Sequence, residues 1–86
     1  MKAIASGRVQ GVYFRAFVAG HAERLGISGY ARNQADGTVE VVAEGARADL
    51  DSLLSEVKRG PPRARVDRVE VTWSEPEGSF TGFRTA

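Results

Sequence analysis

Cysteine is absent from the chain and histidine occurs once. Disulfide stapling, thiolate catalysis and the cysteine-rich zinc sites are thereby excluded, and a two-histidine metal site cannot be built. No metal or other cofactor is expected. No apolar run approaches the roughly 20 residues of a membrane span. Met1 to Gly7 is too short and too mixed for a secretory signal. The cytoplasm is therefore the default expectation, with no membrane partner. A large excess of one charge is also missing: 12 basic and 11 acidic residues leave a net charge of +1. That balance argues against a polyanion such as a nucleic acid as partner. Repeats, linkers and low-complexity stretches are absent too. The 86 residues therefore suffice for one small domain, residues 1–86, expected to act as a monomer.

The charge is unevenly spread. Lys2, Arg8, Arg15, Arg24 and Arg32 face only Glu23 in the first 34 residues, and the acids gather later. A locally positive first half suits a small anion better than a nucleic acid. Ala3 to Gly7 reads as a short strand of small residues. Phe14, Val18, Ala22 and Leu25 recur at helical spacing up to Gly26. Ser28 to Gln34 is a second strand, Ala35-Asp36-Gly37 a turn, and Thr38 to Glu44 a strand with Val39, Val41 and Ala43 on one face. Ala46 to Arg59 carries the stripe Leu50, Leu53, Leu54 and Val57 of a second helix, stopped by Gly60-Pro61-Pro62. Val69, Val71 and Trp73 alternate in a further strand, Pro76 to Ser79 turns the chain, and Phe80 to Thr85 can add an edge strand. The order β-α-β-β-α-β predicts an α+β, ferredoxin-like sandwich. Its antiparallel sheet has the order 4-1-3-2, with both helices on one face.

The segment Gly7-Arg8-Val9-Gln10-Gly11-Val12-Tyr13-Phe14-Arg15 lies between a strand and a helix, where free backbone N–H groups and the helix dipole favour an anion. It is neither a P-loop nor a dinucleotide fingerprint. Arg15 opposes the dipole at a helix start, at a cost of roughly 0.3–1 kcal/mol. A bound anion removes that conflict; an arginine bent toward solvent is the alternative. Asn33, near a strand end, can hold a water through its amide, although an Asn beside a turn is by default a turn former. His21 lies about 240° round the helix from Arg15 and is expected on the surface. Gly20 costs about 1 kcal/mol relative to Ala, and close helix–sheet packing is the expected reason. Trp73 is expected in the core or half-buried in the sheet, and Phe80 and Phe83 as anchors of the C-terminal segment.

Gly7-x-Val9-Gln10-Gly11-Val12-x-Phe14-Arg15 resembles the first signature of the acylphosphatase family. Gly29-Tyr30-Ala31-Arg32-Asn33-x-x-x-Gly37-x-Val39, followed by Gly45, resembles the second. The likeness runs from Ala3 through Gly60-Pro61-Pro62 to Gly82-Phe83. It implies hydrolysis of the carboxyl–phosphate bond of a small acyl phosphate, with inorganic phosphate or sulfate as competing anions. It further implies that Arg15 binds the substrate phosphate and that Asn33 positions the attacking water. The backbone of Gln10, Gly11, Val12, Tyr13 and Phe14 would complete the cradle. Two positions depart from the family: Ala5 replaces a branched aliphatic residue, which would thin the core, and Tyr13 replaces a glycine common in bacterial members. A non-catalytic accessory domain, of the kind found inside larger carbamoyl-transfer proteins, is the main alternative. An RNA binder of the same fold would need aromatic residues on the central strands, and Thr38 to Glu44 has none. A metal carrier fails for want of cysteine.

Overall fold

A computed structural model describes residues 1–76 and 78–86. Strand β1 (Lys2–Arg8) leads into helix α1 (Phe14–Leu25), β2 (Ser28–Asn33), β3 (Val39–Glu44), helix α2 (Arg47–Arg59), β4 (Arg65–Thr72) and β5 (Phe83–Thr85). The sheet order is β4-β1-β3-β2-β5. The four long strands pair antiparallel in the expected 4-1-3-2 order. β5 lies parallel to β2, so the sheet is mixed rather than purely antiparallel. The physical reason is the path of the chain. After β4 at one edge it crosses to the opposite edge and returns alongside β2 in the same direction. The turn expected from Pro76 to Ser79 includes Glu77, which lies outside the described residues.

Period-two alternation puts Ala3, Ala5, Ala31, Val39, Val41 and Ala43 on one face of the sheet, all fully buried. Helix α1 closes on them through Phe14, Val18 and Ala22, and α2 through Leu50, Leu53 and Val57. Leu54 is only half-buried. Ala5 sits opposite Val39 on one side and Val69 on the other. The bulk beneath the first strand is thus supplied by its neighbours. Gly26 ends α1, its N–H donating to the carbonyls of Ala22 and Glu23.

The opposite face is polar and organised around Glu40, which is buried although charged. Its carboxylate accepts a hydrogen bond from the Tyr30 hydroxyl at 2.9 Å and pairs with Arg32 at 3.0 Å and Lys2 at 3.5 Å. Burial, reinforced by the Glu40 carboxylate, raises the Tyr30 phenol above its ordinary value. Two of the five basic residues of the first half are therefore neutralised away from α1.

Three expectations need correction. Strand β4 ends at Thr72, so Trp73 leaves the alternation and is 39% exposed, its ring covered by the Arg47 guanidinium 3.7 Å from the centroid. The cation–π contact takes the place of core packing. His21 is not a plain surface residue: it packs edge-on against Phe17, and its Nε2 lies 3.0 Å from Glu56 of α2. Arg24 donates to its Nδ1, which leaves the proton on Nε2 for Glu56, so the neutral ring can make both bonds. Glu56 also accepts from Arg59, and that pairing holds its carboxyl below the ordinary value. Phe83 is buried and anchors β5 as expected, while Phe80 packs edge-on against Tyr30.

The third correction concerns Gly20. A Cβ built there meets only the Arg24 side chain, at 4.0 Å, so close packing against the sheet does not explain the glycine. Gly20→Ala is therefore expected to stabilise the fold by about 0.5–1 kcal/mol, the ordinary helix-interior difference. The check is a raised urea midpoint at unchanged m-value; a lowered midpoint would contradict the open space beside Gly20.

Candidate active site

Strands β1, β2 and β5 run in the same direction, because β1 and β2 are both antiparallel to β3 and β5 is parallel to β2. Their C-terminal ends meet at one end of the sheet. Helix α1 begins there, so its N-terminus adds backbone donors at the same place. A cleft of 290 Å³ opens between these ends, lined by Val9, Gly11, Tyr13, Phe14, Arg15, Ala16, Asn33 and Thr85.

The loop that enters α1 is launched by a bulge. The pairing of β1 with β4 shifts register between Ser6 and Gly7, and a Cβ on Gly7 would overlap the Arg65 carbonyl oxygen. Only glycine fits that approach. Downstream, Gly11 and Tyr13 have positive φ angles of 72° and 69°, while Gln10 and Val12 do not. Such alternation turns successive N–H groups toward a common centre, the geometry of an anion nest. No side chain caps α1, no acid lies in its first turn, and the first helical bond runs from the Phe17 N–H to the Tyr13 carbonyl. Among the described residues, the N–H groups from Gly11 to Ala16 have no protein acceptor.

Arg15 lines this cleft and donates from Nη1 to the Ala86 carbonyl oxygen at 2.7 Å. Ala86 is itself tied by its N–H to the Ala31 carbonyl of β2. The guanidinium is thus positioned from the strand that carries Asn33. Asn33 pairs with Val39 at the last position of β2. Asn33 lines the cleft, and its amide makes no hydrogen bond to the described residues, so both its donor and its acceptor are available to a water. The default turn-forming role falls to other groups. Gln34 and Thr38 close the turn through a 2.8 Å backbone bond, and Asp36 accepts from the Thr38 hydroxyl and N–H. Those bonds, the hydroxyl's first, hold the Asp36 carboxyl below its ordinary value.

Of the six residues expected in the cradle, Gly11, Tyr13, Phe14 and Arg15 line the cleft. Gln10 and Val12 do not place their side chains there; they were expected to act through the backbone. The Val12 side chain is buried. Gln10 has a task that sequence reasoning missed: its Nε2 donates to the carbonyls of Gln34 at 2.8 Å and Thr38 at 2.9 Å. It pins the loop before α1 to the turn that follows Asn33. Thr85 and Ala86 were also missed as site residues, because nothing in their types signals that β5 ends beside α1. A larger cleft of 450 Å³ at the other end of the sheet, beside Met1, Leu50 and Trp73, borders the start of α2, which also lacks a side-chain cap, but there Asp49 places an acid in the first turn and Arg47 is engaged by Asp51 and the Trp73 ring.

Removing the Gln10 amide takes one of two donors from each carbonyl, since Gly37 N–H still reaches Gln34 and Gln34 N–H still reaches Thr38; losing two ordinary hydrogen bonds costs roughly 1–3 kcal/mol in total. Gln10→Ala is expected to lower stability within that range and to reduce turnover as well, because the loop and Asn33 lose their common brace. Chemical denaturation and steady-state kinetics measure both; full activity in a destabilised variant would show that the brace serves the fold alone.

The chain matches the acylphosphatase family model over residues 1–85. It is 54% identical over 81 residues to an acylphosphatase of Thermus thermophilus, covering 94% of this chain and 91% of that one. The crystal structure of acylphosphatase from Bacillus subtilis superposes with a TM-score of 0.95 at 38% identity, over 99% of this chain and 94% of that one. The same fold forms part of a larger protein, T. kodakarensis HypF, where 99% of this chain matches 11% of that one at 32% identity and a TM-score of 0.84. The free donors, the guanidinium and the amide at one end of a five-stranded sheet thus sit on a frame shared along its whole length, and the chain belongs to the acylphosphatase family.

Proposed function

We propose that Arg15 and the backbone N–H groups of Gln10 to Phe14 bind the phosphate of an acyl phosphate, and that Asn33 positions the water that attacks phosphorus. The observation that carries this reading is the presence of Arg15, Asn33 and the uncapped start of α1 around one cleft. Water attacks phosphorus in line with the carboxylate that departs. The P–O bond to the acyl group breaks, and the carboxylate leaves with the bonding electron pair. Its parent acid has a pKa near about 4, so it needs no general acid. The transition state is loose, and catalysis rests on positioning and charge stabilisation. Asn33 is no base, so the water's proton passes to a phosphate oxygen. Products are a carboxylate and inorganic phosphate. Residues 1–86 serve as one catalytic unit, monomeric and cytoplasmic in this reading. Supporting that setting are a chain without cysteine and the absence, among the described residues, of a helix long and apolar enough to cross a membrane.

The accessory-domain reading has one observation in its favour, the occurrence of the fold within HypF. Arg15 and Asn33 together favour hydrolysis. Arg15→Ala is expected to weaken phosphate binding and to lower kcat/KM by roughly two to three orders of magnitude, as loss of a charge-stabilising donor does. Arg15→Lys rescues poorly, since a point charge lacks the planar fork. Asn33→Ala is expected to lower kcat by about two orders of magnitude or more while phosphate affinity stays near wild type. Release of phosphate from benzoyl phosphate, together with the rise in melting temperature on adding phosphate, separates the two. Normal turnover in folded Asn33→Ala, or equal loss of phosphate binding in both variants, would overturn the assignment.

Hydrolysis is also expected to survive exhaustive chelation, because one histidine and no cysteine leave little to hold a transition metal and the leaving group departs unaided. Activity lost to a chelator and restored only by a divalent ion would refute this.

A further inference from the structure

An apolar groove of 460 Å³ adjoins the cleft, lined in part by Tyr13, Ala16, Phe17, Pro61, Pro62 and Arg63. Tyr13 and Ala16 line both spaces. Tyr13 is unusual in two respects. It is the one non-glycine residue among those described with positive φ, a strained conformation for a residue with a Cβ. Its side chain is also 82% exposed and makes no hydrogen bond or ring contact. The other exposed large apolar side chain, Trp73, is covered by Arg47. Tyr13 is uncovered, and it stands on the wall between the donor-lined cleft and the groove.

We propose that this groove is the acyl-group subsite, and that Tyr13 determines a preference for acyl phosphates with aromatic or bulky aliphatic acyl groups. The inference rests on the reading of the cleft as the phosphate site. In-line displacement puts the attacking water and the leaving carboxylate on opposite sides of phosphorus. Asn33 ends β2, next to the β5 edge, whereas Pro61 and Pro62 belong to the segment that feeds β4 at the opposite edge. A water at Asn33 therefore directs the acyl group toward Tyr13 and the groove. Rigid proline rings and an unpartnered aromatic ring offer apolar area to such a group, and Arg63 is the one charged side chain among the lining residues.

The test compares kcat/KM for benzoyl phosphate and acetyl phosphate in the wild type, in Tyr13→Gly, which suits the backbone while deleting the ring, and in Pro62→Asp, which puts a charge on the exposed groove wall outside the phosphate site. The wild type should favour benzoyl phosphate by about tenfold or more, mainly through KM, in line with the discrimination an apolar pocket supplies. Each variant should reduce that ratio roughly fivefold or more. A ratio unchanged in both folded variants, or a parallel fall for both substrates, would overturn the proposal. Phenylphosphonate and methylphosphonate, compared as ligands by calorimetry, repeat the test without turnover: the variants should lose preference for the phenyl compound. A wild type that binds both phosphonates yet hydrolyses neither substrate would refute the catalytic reading, and the phosphonate ratio would still decide the groove.

Discussion

The start of helix α1 leaves backbone donors without acceptors, and the rest of the site is arranged around that deficit. A helix of twelve residues would ordinarily close its first turn with Ser, Thr or Asp and place an acid nearby. Here Tyr13 occupies the cap position in a left-handed conformation, no side chain accepts, and the second helical residue is an arginine. These N–H groups border the open cleft, where water or an anion can reach them. A phosphate can meet them with three oxygens and the charge that both the dipole and the guanidinium lack. Stability foregone at the helix terminus is thereby available as binding energy.

Donors of this kind are useful only if they are held still. Two braces do so from different directions. Gln10 ties the loop to the carbonyls of Gln34 and Thr38, and Ala86 ties Arg15 to β2 through Ala31. Both end on the strand and turn that carry Asn33. The loop before α1, the guanidinium and the amide thus share one rigid reference, the C-terminal end of β2. The bulge at Gly7 sets where the loop leaves the sheet. Preorganisation of this type suits a reaction with a loose transition state, in which little covalent work falls to the protein.

Much of this was legible in the sequence, and the failures have physical causes. The helices were readable because Val18, Ala22, Leu53 and Val57 repeat at helical spacing and all face the sheet. Strand β3 was readable because Val39, Val41 and Ala43 recur at period two, with Glu40, Val42 and Glu44 between them. Trp73 misled because an aromatic residue in alternating register looks like core, whereas a neighbouring cation can cover it outside the strand. Gly20 misled because a glycine in a helix suggests crowding, and no crowding is found. His21 was read from its own helix alone, and its partner Glu56 lies on the other helix. Gln10 was visible as part of a motif, but its side-chain role depends on two carbonyls more than twenty residues away. Thr85 and Ala86 carry no local signal at all. Their contribution follows from β5 pairing parallel to β2, a long-range fact that no window of sequence contains.

The uneven charge of the first half illustrates how such signals change meaning in three dimensions. Five basic residues against one acid suggest a positive surface. The fold disperses them instead. Lys2 and Arg32 pair with Glu40 on the outer face, Arg24 bonds to His21, and Arg15 alone of the five lines the cleft. A single guanidinium among neutral N–H donors attracts a small dianion without creating the broad field that gathers polyanions. In the proposed reading, selectivity for a small anion follows from the placement of one cation, and selectivity for what the anion is attached to falls to the largely apolar surface beside it.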